Sequence, residues 1–157
     1  MPASSTCSLT TTTHPPVDDL ALTLSPAQVA RFDVSLARCL AEPAFLNSFY
    51  ERLIKTSPDV AAMFQGTDFL RQRRATAASL YLLVLALEQG EGAIEYLDRI
   101  ARQHSRAELD VRPEMYDAWC DCLLQCASEF DPMFSDDIEQ AWRGAADFAI
   151  EFMRARY

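Results

Sequence analysis

The 157-residue chain is long enough for one domain with a sizeable core and too short for two comfortable ones. Half of its residues are hydrophobic and 24% are charged, which excludes global disorder. With 14 basic against 23 acidic residues the net charge is −9, so no nucleic-acid or anionic membrane partner is expected.

The longest apolar run, Leu80–Leu87, is far short of the ~20 residues that span a bilayer. The N-terminal stretch has no basic residue before Arg31 and no apolar centre, so it does not read as a secretory signal. A cytoplasmic location with reduced thiols is therefore expected. The five cysteines are odd in number and lack zinc-site spacing. Cys122 and Cys126 would share a helix face with Cys120 nearly opposite Cys122, so these read as small buried hydrophobes.

Residues 1–24, rich in Ser, Thr and Pro, read as a flexible tail, and 25–157 as the folded domain. In that domain Gly and Pro, Gly144 excepted, fall between or at the starts of stretches of helical periodicity, with no two-residue alternation. Ser25 and Pro26 open a first helix with Val29, Phe32, Leu36, Cys39 and Leu40 inward. Pro43 opens a second, with Phe45, Phe49 and Leu53 on one face and Leu46, Tyr50 and Ile54 beside it. Ser57–Pro58 opens a short third, ending near Phe64. Thr67 and Asp68 supply the cap and first-turn acid of a long fourth helix that Gly90 and Gly92 stop near Glu88. A fifth covers roughly 92–104, with Ile94, Leu97, Ile100 and Ala101 on a stripe continued by His104. Pro113 opens a sixth, with Tyr116, Trp119, Leu123, Cys126 or Ala127, and Phe130 inward. Asp131–Pro132 separates it from a last helix over 135–156, carrying Ile138, Ala141, Trp142, Ala145, Phe148, Ala149 and Phe152. Six or seven amphipathic helices with short connections imply an all-α bundle.

His104 is the only histidine of the domain. A histidine on a buried stripe is either a hydrogen-bonded core residue or a ligand. Alone it cannot make a protein-only zinc site, which takes three or four protein ligands. Haem needs only one, because the porphyrin supplies four nitrogens. Such a cofactor calls for an aromatic against the ring and a partly polar opposite side. Phe64, Tyr50, Gln72 and Thr76 are suitably placed, the last two one turn apart on the fourth helix.

FYERL (49–53), SPDVAAMF (57–64), TDFLRQRR (67–74), IARQHSRAELDVRPEMYDAW (100–119) and AW (141–142), in this order, resemble the bacterial single-domain globins and the globin part of flavohaemoglobins. The resemblance covers the whole of 25–157. It implies a globin-like bundle around a haem b pocket. His104 matches the proximal ligand, and Phe64 the aromatic wedged against the porphyrin. Tyr50 and Gln72 match the distal donors to bound gas, and Tyr116 the tyrosine near the proximal histidine. Thr76 stands where the family usually has an apolar residue. Tyr157 stands where flavohaemoglobins place a glutamate that polarises the histidine. Arg102, Arg106, Arg112, Arg71, Arg73 and Arg74 are candidates to pair with the propionates.

The implied function is binding of diatomic gases (oxygen, NO or CO) as a carrier, store or sensor. An alternative is nitric oxide dioxygenation with electrons from an external reductase, because the chain has no Gly-rich dinucleotide motif of its own. A haem-free scaffold or sensor of globin shape is the third reading.

Overall fold

A computed structural model of the chain describes residues 24–90 and 92–157. Seven helices follow one another: α1 (Pro26–Ala41), α2 (Phe45–Lys55), α3 (Pro58–Met63), α4 (Phe69–Leu87), α5 (Ala93–His104), α6 (Met115–Phe130) and α7 (Asp136–Arg154). No strand occurs among the described residues. The expected tail lies outside those residues except for Leu24. That side chain is buried, and its isobutyl group lies over Gly144, so Leu24 packs with the folded domain.

Helix starts follow local chemistry. Ser25 closes a capping box with Gln28, each side chain bonding the other's backbone N–H. Ser57 caps α3 by accepting from the Val60 N–H. At α4 the cap is Asp68 rather than Thr67, because one Asp68 carboxylate oxygen accepts from both the Leu70 and Arg71 N–H groups. Pro43 and Pro113 do not open α2 and α6. Each lies in the turn before its helix, which begins at Phe45 or Met115. The stop of α4 also differs from expectation. Gln89, at φ 59°, takes the left-handed position, and the Gly90 N–H reaches back to the Leu85 carbonyl at 2.7 Å.

The core joins the inner faces of all the long helices. α7 packs on α1, α4, α5 and α6, and Trp142, Phe152, Ala141 and Ala145 are fully buried on it. Trp142 meets Phe32 edge-on at 4.9 Å and Phe45 at 6.4 Å. Its indole N–H donates to Ser35 Oγ at 2.8 Å, and Ser35 in turn donates to the Asp131 carboxylate at 2.5 Å. Arg38 grips both Asp131 oxygens, at 2.6 and 2.7 Å, and the Met133 N–H donates to Oδ1 at 2.9 Å. This clip ties α1, the α6–α7 turn and α7 together. Burial alone would raise the Asp131 carboxyl, but the Arg38, Ser35 and Met133 hydrogen bonds outweigh it and hold the group below the usual carboxylate range.

Cys39, Cys120, Cys122 and Cys126 are free and buried. Burial pushes Cys39 up to about 12 and Cys120 and Cys126 to about 11, so these thiols are packing groups.

Candidate functional site

α2, α3 and the start of α4 surround Tyr50. Its ring lies edge-on to Phe49 at 4.9 Å, Phe64 at 5.5 Å and Phe69 at 5.6 Å. Phe64 and Phe69 stack with ring centroids 6.1 Å apart. Within this aromatic surround sits a short polar chain. Tyr50 Oη lies 2.5 Å from Thr76 Oγ1, Gln72 Nε2 donates to Tyr50 Oη at 3.1 Å, and Thr76 Oγ1 donates to the Gln72 backbone carbonyl at 3.0 Å. Burial raises the Tyr50 phenol above its ordinary value; the Thr76 and Gln72 bonds and the Arg73 charge draw it back only in part. The group is therefore a neutral hydroxyl at physiological pH, with a proton to donate.

Four of the site residues read from the sequence, Tyr50, Phe64, Gln72 and Thr76, thus form one contact group. Sequence reasoning missed Phe69, the first residue of α4. The available signal was spacing: Phe69, Gln72 and Thr76 fall three and four residues apart and so on one helical face.

His104 closes α5 and is half-buried. Its Nδ1 lies 2.8 Å from the Ile100 carbonyl oxygen. A carbonyl can only accept, so Nδ1 carries a proton, and in the neutral imidazole the lone pair is then on Nε2. No described residue hydrogen-bonds Nε2. The chain beyond the histidine is tied to the last turn of α5: Val111 N–H donates to the His104 carbonyl, Leu109 N–H to that of Gln103 and Asp110 N–H to that of Ser105. One turn and a half earlier, Asp98 bonds Arg102 and receives Arg156 Nε at 2.5 Å. Burial would raise Asp98; the Arg156 and Arg102 bonds prevail and lower it. The Arg156 guanidinium also lies 3.6 Å over the Phe152 ring, so the end of α7 clamps α5.

Tyr116 is buried on α6, and burial pushes its phenol up to about 12, with Tyr157 adding to the rise and Arg154 opposing it. It lies toward the chain end, and no hydrogen bond joins it to His104 among the described residues. Tyr157 donates its hydroxyl to Asp110 at 2.5 Å and carries Arg106 4.9 Å over its ring, so it staples the loop that follows His104. Of the arginines, Arg102 pairs with Asp98, Arg112 with Asp59 and Glu114, and Arg106 faces Tyr157. Arg71, Arg73 and Arg74 have no carboxylate within ion-pair distance among the described residues.

The donor set fits one cofactor class. Among the described residues no cluster of three or more His, Cys, Asp or Glu side chains could hold a metal ion. A single imidazole of fixed tautomer, with one uncommitted nitrogen, suits a cofactor that asks for one protein ligand.

Residues 47–153 match the Globin family, and the chain belongs to it. Globins as a family bind haem and, through it, gas ligands. Among solved structures the chain is similar to a Pseudomonas aeruginosa PAO1 protein described as structurally highly homologous to a human hemoglobin. The two share 31% identity at a TM-score of 0.76, over 83% of this chain and 98% of the other. No curated protein matches the chain in sequence. No described helix is long and apolar enough to cross a membrane.

Proposed function

We propose that the protein binds haem b through His104 and uses it to bind oxygen, NO or CO as a carrier, store or sensor. The observation that carries this reading is His104 itself: its Nδ1 bonds the Ile100 carbonyl, and Nε2 is left without a hydrogen-bond partner among the described residues. When bound, haem would supply an iron able to bind a diatomic gas. The Ile100 bond fixes the imidazole tautomer and makes Nε2 more basic. The imidazole must be neutral to ligate. Phe64 would supply the aromatic ring against the macrocycle. The Gln72 amide, and the Tyr50 hydroxyl once its proton leaves Thr76, are the donors a gas ligand would meet. Tyr116, by the resemblance, would lie on the proximal side of the site. Arg71, Arg73 and Arg74, free of carboxylate partners among the described residues, are the arginines left to meet propionates.

An absorption spectrum of protein purified from haem-replete cells tests this. An intense Soret band that shifts on reduction and again on CO addition is expected. A colourless protein that also fails to take up added haem would leave the haem-free scaffold as the better reading.

A further inference from the structure

We propose that Thr76 holds the Tyr50 proton away from the gas ligand, so that retention of the gas is set by competition between Thr76 and the ligand for one hydrogen-bond donor. This rests on the gas-binding reading above. It follows from counting protons in the polar chain. Thr76 has one hydroxyl proton, and its Oγ1 lies 3.0 Å from the Gln72 carbonyl oxygen, which can only accept. That proton is therefore committed to the backbone, as is common for threonine bonding the carbonyl four residues before it. Either hydroxyl could donate in the 2.5 Å contact with Tyr50; with the Thr76 proton on the carbonyl, the tyrosine's own proton makes it. With its proton given away, Tyr50 Oη accepts from the Gln72 amide at 3.1 Å, which also fixes that the amide presents nitrogen and not oxygen.

The result is a closed ring: Gln72 amide to Tyr50, Tyr50 to Thr76, and Thr76 to the Gln72 backbone. Every hydroxyl proton in it points along the ring. Only the second N–H of the Gln72 amide is uncommitted. A gas ligand can recruit the Tyr50 hydroxyl only by drawing its proton out of the short bond to Thr76. The rings of Phe49, Phe64 and Phe69 around Tyr50 offer no other acceptor. An apolar residue at position 76 would leave the Tyr50 proton free for the ligand. Thr76 is thus a positioning residue that weakens gas retention.

The test compares wild type, Thr76→Val, Thr76→Ser and Tyr50→Phe/Thr76→Val in the full, haem-loaded chain. Valine keeps the shape and removes the hydroxyl. Oxygen dissociation is expected to slow roughly three- to tenfold in Thr76→Val, the range of one neutral hydrogen bond. The C–O stretch of the ferrous CO form is expected to move to lower frequency, the signature of a stronger donor at the ligand. Thr76→Ser keeps the wild-type values, and in the Tyr50→Phe background the valine has no slowing effect. An unchanged or faster oxygen loss in a Thr76→Val protein with intact Soret band and melting temperature would overturn the proposal.

A readout independent of haem separates the two readings. In ligand-free protein the Tyr50 hydroxyl proton should give a downfield, slowly exchanging NMR resonance that Thr76→Val removes. A chain without a Soret band would defeat the gas-binding reading and leave this resonance standing. A resonance untouched by Thr76→Val would defeat the proton-holding role alone.

Discussion

Replacing Asp131 by Asn isolates the energetics of the clip between α1 and α7. The two side chains have the same shape, so packing is retained. The carboxylate accepts four hydrogen bonds, two of them from Arg38, and is wholly buried, whereas Arg38 keeps 29% of its side chain exposed. An asparagine can still accept from Arg38 Nε and Met133 through its oxygen. Its amide then faces both donors that Oδ2 accepted, Arg38 Nη2 and Ser35 Oγ, so two bonds are lost, the charge-assisted one worth roughly 1.5–3 kcal/mol. Removing one partner of a fully buried pair would cost about 3–5 kcal/mol, but hydration of the half-open Arg38 reduces this. The expected loss is about 3 kcal/mol. At roughly 2–4 °C per kcal/mol for a chain of this size, the melting temperature should fall by roughly 6–12 °C.

The pH dependence has a fixed sign. The folded carboxyl titrates below its unfolded value of about 3.9, so its stabilisation is complete above that pH. It is lost as pH falls below about 4 and through the folded value. Chemical denaturation of both proteins between pH 7 and pH 2.5 should show a constant difference down to about pH 5 that shrinks in acid. A difference under about 1 kcal/mol at pH 7, or one that persists unchanged at pH 2.5, would refute the reasoning.

Other perturbations reach other parts of the molecule. Tyr50→Phe removes a donor whose proton must first leave Thr76, so oxygen release in the haem-loaded protein should quicken by only about fivefold, as followed by stopped flow. Gln89→Gly relieves a left-handed backbone at φ 59° and should stabilise the domain by about 0.5–1 kcal/mol; a destabilisation would show that the Gln89 side chain contributes a contact larger than the strain. Cys39, Cys120 and Cys126, with thiols pushed up to about 11 or 12, should resist a thiol reagent at pH 8 in the folded protein and react fully in denaturant.

Helix positions were readable because the apolar period of each segment and its Ser, Asp, Pro and Gly punctuation agree. The errors lie where two local signals compete. At Thr67–Asp68 both residues can cap, and the carboxylate wins by bonding two N–H groups at once. At Gln89–Gly90 the glycine looked like the stop, yet the left-handed residue is the glutamine before it. The polar group around Tyr50 was visible because hydroxyl and amide side chains interrupt apolar faces. Its closure into a ring was not, because a hydrogen-bond direction depends on contacts between α2 and α4 that neither helix encodes alone. Asp131 looked like a loop residue beside Pro132; its partners Ser35 and Arg38 are some 90 positions away in sequence. Tyr157, standing where flavohaemoglobins place a glutamate, bonds Asp110 in the loop after His104 and so acts on that loop.

The most direct measurement concerns His104. His104→Gly removes the imidazole that offers Nε2 and leaves its space in place. If the histidine holds the iron, the purified variant should have a weakened and displaced Soret band, and added imidazole should restore the wild-type ferrous and CO spectra in a saturable way. A His104→Gly protein that keeps the wild-type spectrum without imidazole would show that another group binds the iron, and would contradict the assignment on which the gas-binding function rests.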